Sequence, residues 1–258
     1  NKEVRRALGL AAPKERIVET ILKGYATPID GPIPAGIYGW SSERQNTEPY
    51  EKRLELARQI LTKDGWVLDL ETGVLEKKSK SGNMTLSFSI STDDTPELNR
   101  VAEELKSAWE KLGAKVEILV YERGDLNQNV IQPRQFEGLL FGEVVSRDAD
   151  VYPFWHSSQR NYPGLNIALY ANTKADRYLS DARGAEDRET AEKDLKAFQE
   201  EISSDEPAVF LYTPSFLYIV PEELRSVVLG SLTMPQDRFL GVRDWYMETD
   251  RVWKIFLD

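Results

Sequence analysis

Between Asp148 and Tyr170 the sequence DADVYPFWHSSQRNYPGLNIALY gathers the groups best suited to chemistry. It holds two carboxylates, the single histidine of the chain, adjacent serines and five aromatic rings. His156 beside Ser157 and Ser158 raises nucleophilic hydrolysis. Such a site needs a base that reaches across space to its nucleophile and a third group that orients the base. Neighbours on one extended segment point apart, and no G-x-S-x-G elbow occurs in the chain. His156 therefore reads as a hydrogen-bonded structural histidine. Glu143, Asp148 and Asp150 offer a second chemistry, the paired carboxylates of a glycosidase. One histidine and no cysteine leave too few ligands for zinc or copper. STDDTPE and DADVYPFW lack the spacing and glycine of an EF-hand loop. No G-x-x-x-x-G-K phosphate loop is present. No catalytic residue, metal or cofactor is expected.

The other use of these groups is recognition. Tyr152, Phe154 and Trp155 can stack on ligand side chains or sugar rings, or fill a core. Alternation along an extended chain would put Tyr152 and Phe154 on one face and Trp155 on the other. Asn166 can hydrogen-bond a ligand backbone or fix the loop around it. Arg134 offers a guanidinium fork for a ligand carboxylate, or a surface ion pair with a glutamate. Asp148 can face a ligand or cap its own turn. Trp40 and Trp66 read as anchors of the core or connector.

The elements that must hold these groups can be read from pattern. At 258 residues the chain suffices for one large domain or two modest ones, with 41% apolar residues for a core. A net charge of −10 argues against nucleic acid or an anionic membrane as partner. No cysteine means no disulfide, and no window of about 18 apolar residues exists to span a membrane. The opening NKEVRRALGL has no initiator Met and no apolar signal core, so it reads as the interior of a longer chain.

KEVRRALGLAA is a short amphipathic helix. Pro13 precedes a second helix that Gly24 ends. The next 25 residues hold four prolines and three glycines and read as an extended connector. YEKRLELARQILTKDGW is a helix with Leu54, Ala57 and Leu61 on one face, and a basic hairpin follows it. MTLSFSI alternates as one strand, with Met84, Leu86, Phe88 and Ile90 on a common face. Thr95 and Pro96 start a helix whose buried stripe is Leu98, Val101, Leu105, Ala108 and Leu112, closed by Gly113. AKVEILVY is a strand again, which makes a βαβ unit with a parallel pair. A short helix stops before Pro133, and GLLFGEVV reads as a buried third strand. The stretch from Asp148 then lies at the carboxyl end of a sheet strand, where open α/β sheets place ligand crevices. Two helices follow, then a strand pair in PAVFLYTPSFLYIV broken by Pro214, then an irregular tail with Trp245, Tyr246 and Trp253.

The order of these motifs resembles the C-terminal part of the bacterial extracellular solute-binding proteins of family 5, the peptide-binding type of ABC importer. The similarity is carried by VRRALGLAAPKERIVETILKGYATP, YEKRLELARQILTKDGW and LKSAWEKLGAKVEI. It continues through FEGLLFGEVVSRDADVYPFWHSSQ, LNIALYANTKADRYLSDAR and DEPAVFLYTPSFLYIV. The resemblance implies an α/β, periplasmic-binding-protein-like fold of the type II, Venus-flytrap kind. The expected piece is one lobe with a mixed sheet, and the N-terminal lobe is largely absent. Residues 1–205 would form the second lobe, and 206–258 the segment returning through the hinge to the first.

It also implies a protein that captures a small solute in the cleft between lobes and hands it to an ABC permease, with no catalytic activity. The location would be extracellular or periplasmic, with a membrane-anchored lipoprotein as the implied full-length form. A short peptide is the implied solute; an oligosaccharide binder of the same fold and a carboxylate-pair glycosidase stay open as alternatives. In peptide-binding members an aspartate four residues after the strand-end glycine meets the ligand's amino terminus. Counted from Gly142, that place holds Ser146 here, with Glu143, Arg147, Asp148 and Asp150 nearby. The acidic turn has Ala149 where the family has proline. The ligand-binding set expected is Arg134, Glu143, Ser146, Asp148, Tyr152, Phe154, Trp155 and Asn166.

Overall fold

The computed structural model describes residues 1–40, 46–80, 82–146, 148–230 and 232–248. Asn1 caps the first helix, α1 (Lys2–Ala11), by accepting from the N–H groups of Glu3 and Val4. Pro13 is the cap of α2 (Lys14–Arg16), and the helix widens into a π turn over Ile17–Ile21 before Gly24 ends it at φ +82°. The connector hides a strand, β1 (Ala26–Pro28), whose partner comes from the far end of the chain. α3 (Tyr50–Lys63) buries Leu54, Ala57 and Leu61, as their spacing predicts. β2 (Val67–Leu68), β3 (Leu75–Ser79) and β4 (Gly82–Thr85) make an antiparallel sheet that contains the basic hairpin.

MTLSFSI proves to span two strands, not one. Leu86 is the junction between sheets: its N–H donates to Leu75 (2.8 Å) and its carbonyl accepts from Lys115 (2.8 Å). Met84, on the hairpin side, is consequently exposed, whereas Leu86 and Ile90 are buried. β5 (Ser87–Asp93) continues into α4 (Pro96–Leu112). Thr95 holds the N-cap position without a side-chain bond to the helix; its N–H donates to Asp93 Oδ1 (2.9 Å). The stripe Val101, Leu105, Ala108 and Leu112 is buried, and Trp109 joins it, donating its indole N–H to the Leu8 carbonyl (2.9 Å). β6 (Lys115–Tyr121) then runs parallel to β5 along its whole length, from Ser87↔Lys115 to Asp93↔Tyr121.

α5 (Arg123–Asp125) passes into a second π turn, Leu126–Ile131, which stops ahead of Pro133. β7 (Gly138–Leu139) pairs with the other side of β5, also parallel, giving the order β6-β5-β7. A Cβ on Gly138 would stand 3.0 Å from the Ser89 carbonyl, so glycine is what lets β7 come this close. GLLFGEVV is thus a much shorter strand than its apolar run suggests. Past Leu140 the chain leaves the sheet, and Phe141 and Val144 are 48% and 64% exposed.

α6 (Tyr152–Trp155) is a single turn, and α7 (Thr173–Gly184) packs against α8 (Arg188–Asp205). Two main cores result. One places α1, α3 and α4 on the parallel sheet; the other gathers Ile33, Trp155, Leu179 and Phe198 around the α7–α8 pair. β8 (Tyr212–Pro214) returns to pair antiparallel with β1. Pro214 does not break a strand pair: it ends β8 opposite Ala26, where the missing N–H is tolerated, and residues 215–220 form no strand. β9 (Leu224–Arg225) and β10 (Tyr246–Met247) pair beyond it. This tail exposes large apolar side chains, Ile219 at 94% and Val228 at 81%. Trp245 packs with Tyr218 and Phe239, whose rings also hold the Arg238 guanidinium. Trp253 lies outside the described residues. Parallel and antiparallel pairing occur in separate sheets. Among the described residues no helix is long and apolar enough to cross a membrane.

Gly113 couples the sheets. It closes α4 at φ +104°, and a Cβ there would lie 2.8 Å from Leu75 Cγ in the hairpin. Gly113→Ala is expected to destabilise the chain by about 1–3 kcal/mol, the range for one strained backbone position. Urea unfolding measures this; an unchanged midpoint would show that the hairpin gives way freely.

Candidate functional site

Parallel pairing brings the carboxyl ends of β5, β6 and β7 to one edge, and the chain leaves the sheet there after Leu140. Leu140 fastens the loop's start: its N–H donates to the Ser91 carbonyl (2.9 Å) and its carbonyl accepts from the fully buried Thr92 hydroxyl (3.2 Å). From there Phe141 and Val144 are exposed. Nothing stands within 4 Å of where a Cβ on Gly142 would be. Glu143 is half-buried and has no hydrogen bond or ion pair among the described residues. Burial alone pushes its carboxyl up to about 8.

Ser146 and Asp148 are exposed on the same loop; Arg147 lies outside the described residues. The Ser146 carbonyl accepts from Ala149 N–H (2.9 Å), and Ala149 sits at φ +57°. Proline, fixed near φ −65°, cannot take that conformation. Alanine at the centre of the acidic turn thus goes with a changed backbone, not only a changed side chain. Asp150 pairs with Arg183, whose guanidinium also lies over the Tyr152 ring at 4.3 Å.

The stretch after Asp150 is wound, not extended, so alternation does not sort its aromatics. Trp155 turns inward and is 4% exposed, edge-on to Tyr170 in the second core. Tyr152 and Phe154 are half-buried, and Tyr152 stacks on His156 at 4.1 Å. The expectation that His156 and its serines point apart fails, because a 3-10 turn over Ser157–Gln159 folds them together. His156 Nδ1 accepts from the Ser158 N–H (3.1 Å) and lies 2.8 Å from its hydroxyl. Asp176 accepts from both the N–H (2.8 Å) and the hydroxyl (2.6 Å) of Ser157, which ties the turn to α7. His156 is thus the cap of the turn, held by hydrogen bonds.

Asn166 is completely enclosed. Its amide donates to the carbonyls of Trp155 (3.2 Å), His156 (3.1 Å) and Tyr170 (2.9 Å), and its Oδ1 accepts from Tyr170 N–H (3.0 Å). Arg134, at φ +58°, donates to the carbonyls of Ile131, Arg160 and Gly164, not to a glutamate. Gly164 is required there: a Cβ would stand 2.2 Å from the Gln159 carbonyl.

The expected residues therefore separate into two groups. Glu143, Ser146 and Asp148 lie on the loop leaving the sheet edge. Tyr152, Phe154, Trp155 and Asn166 belong to the wound segment, which Arg134 clamps from the side. Sequence reasoning missed a second set at the same edge. Asp93, at the end of β5, is held below the ordinary carboxylate range: burial opposes this, but the Thr95 N–H and Arg123 prevail. The double aspartate in STDDTPE was the available signal, once β5 was seen to run on to Asp93.

Residues 1–164 match the bacterial extracellular solute-binding proteins, family 5 Middle. The oligopeptide-binding protein AppA of Bacillus subtilis is 28% identical over 256 residues, 96% of this chain and 44% of AppA. Its structure with a nonapeptide superposes at a TM-score of 0.75 and 25% identity, covering 96% of this chain and 48% of that one. Heme-binding protein A of Haemophilus influenzae is 27% identical over 210 residues, 80% of this chain and 35% of that protein. NikZ of Campylobacter jejuni shares the fold at a TM-score of 0.75 and 23% identity, over 95% of this chain and 48% of its own. The chain thus spans under half the length of these relatives. With its parallel sheet, flanking helices and a family match over residues 1–164, the chain belongs to the bacterial extracellular solute-binding proteins of family 5 and has the periplasmic-binding-protein-like fold.

Proposed function

We propose that this chain forms the second lobe (1–205) and return segment (206–258) of an extracellular or periplasmic solute-binding protein serving an ABC importer. Its N-terminal lobe and an ABC permease are the partners, and a lipoprotein anchor at full length would keep it at the membrane. The solute is a short peptide, captured without turnover between two lobes. The observation that carries this is the open loop with exposed Phe141 and Val144 at the carboxyl edge of the sheet, in a chain of this family. Open α/β sheets bind ligands at that edge. The β1–β8 pair supports a return segment, because the chain after α8 comes back to pair with a strand near its start. The bare apolar tail around Ile219 and Val228 supports a covering lobe. The peptide class rests on the oligopeptide-binding relative. Neither the oligosaccharide nor the glycosidase reading draws support from the relatives.

Within the site, Glu143, Ser146, Asp148, Tyr152 and Phe154 would face the solute. Arg134, Trp155 and Asn166 would position them from behind, since their polar groups are already engaged by the chain or their rings lie in the core.

Thermal unfolding of the whole encoded protein with pools of short peptides tests the reading. Ligand that binds only the folded state raises the midpoint, by the equivalent of about 4 kcal/mol at a thousand times Kd. A rise with oligosaccharides alone, or consumption of the added ligand, contradicts it. Asn166→Ala is expected to lose about 3 kcal/mol of stability in urea unfolding, because buried carbonyls lose their donor. A loss below about 1 kcal/mol would show that the wound segment holds itself without Asn166.

A further inference from the structure

The wound segment hangs on one titratable cap. The His156 side chain is largely covered, with 16% of its surface exposed. Its Nδ1 accepts from the Ser158 N–H (3.1 Å), and the Ser158 hydroxyl lies 2.8 Å from the same nitrogen. A ring nitrogen that accepts carries no proton, so the imidazole is neutral with its hydrogen on Nε2. Further bonds depend on the turn that this cap starts. The N–H of Gln159 donates to the His156 carbonyl (3.0 Å), that of Arg160 to Ser157 (3.3 Å), and that of Asn166 to Gln159 (3.1 Å).

Histidine is the side chain whose ordinary change of charge falls between about pH 5 and 8. A proton arriving at Nδ1 occupies the lone pair that the Ser158 N–H uses, so that hydrogen bond breaks. A second arrangement stands ready for the cation. Asp176, on α7, lies 3.9 Å from Nε2 and is itself fixed by the N–H and hydroxyl of Ser157. The opposing charge is Arg183, also on α7. Its guanidinium lies over the Tyr152 ring, on which His156 stacks, and Asp150 pairs with it. Asp176 thus favours an imidazolium and Arg183 disfavours it, so one proton chooses between two discrete bonding patterns.

We propose that His156 is an acid-sensitive clasp on the wound segment. Neutral, it caps the Ser157–Gln159 turn; protonated, it leaves the cap for Asp176 and loosens residues 157–166. The clasp is closed above the histidine range and opens as pH falls through it. Because Tyr152 stacks on the switching ring, the change reaches the face assigned above to the solute. That consequence rests on the solute-binding reading; the clasp itself does not.

Hydrogen exchange of the whole encoded protein without solute tests it, at about pH 7.5 and about pH 5, on either side of most histidine titrations. Rates are corrected for the intrinsic pH dependence of amide exchange. Protection of residues 157–166 is expected to fall roughly fivefold at the lower pH, the size of one lost cap, while α4 keeps its protection. His156→Asn offers a capping oxygen that gains no proton in this range, and His156→Ala offers no cap at all. The pH dependence is expected to vanish in both variants, whatever level of protection each retains. No fall in the wild type, an equal fall in α4, or a pH dependence that survives in either variant overturns the clasp and leaves the solute-binding reading standing.

Discussion

The parallel pairing of β5 with β6 and β7 is the constraint on which the rest depends. Parallel strands must be joined by crossovers, so helices are forced onto the sheet and all strand ends of one polarity meet at one edge. α4 answers the first demand, burying Val101, Leu105 and Leu112 between β5 and β6. The loop from Leu140 answers the second, since the chain can only emerge from β7 across the edge where β5 and β6 also end. Leu140 is bonded twice to β5, which fixes where that loop begins.

Two kinds of polar group share this end of the molecule, and their surroundings divide their work. The wound segment spends its polar atoms on its own backbone. Asn166 replaces the ladder that an irregular chain lacks, and Arg134, just past the π turn, reaches in to hold Gly164. Buried groups satisfied in this way confer rigidity. Phe141, Glu143, Val144 and Asp148 do the opposite, being exposed or unpaired among the described residues, while Val145 between them is buried in the second core. A rigid frame beside an uncommitted rim is the arrangement a binding face needs, because the frame limits what ordering costs on association.

Much of this was legible in the sequence, and the misses have physical causes. The α3 and α4 stripes, the Gly113 stop and the parallel β5–β6 pair follow from local pattern, since spacing and caps act within a few residues. Leu86 could not be recognised as a junction, because alternation is the same on both sides of a sheet change. β1 and β8 are three residues each and contain prolines, and only their long-range pairing makes them strands. The apolar run after Gly138 gave no sign that Phe141 and Val144 leave the sheet, because hydrophobicity does not distinguish a covered strand from an exposed loop. Asp93 was passed over for the same reason in reverse: its role depends on Arg123, thirty residues on, across β6.

Under the proposed function, solute is held at the carboxyl edge of the parallel sheet, beside residues 141–146. Hydrogen exchange of the whole encoded protein, with and without a short peptide pool, tests it most directly. Protection is expected in residues 141–146 and at the end of β5, with the β3–β4 hairpin unchanged. Protection confined to the hairpin or to the outer face of α8, with none at the sheet edge, would contradict the account.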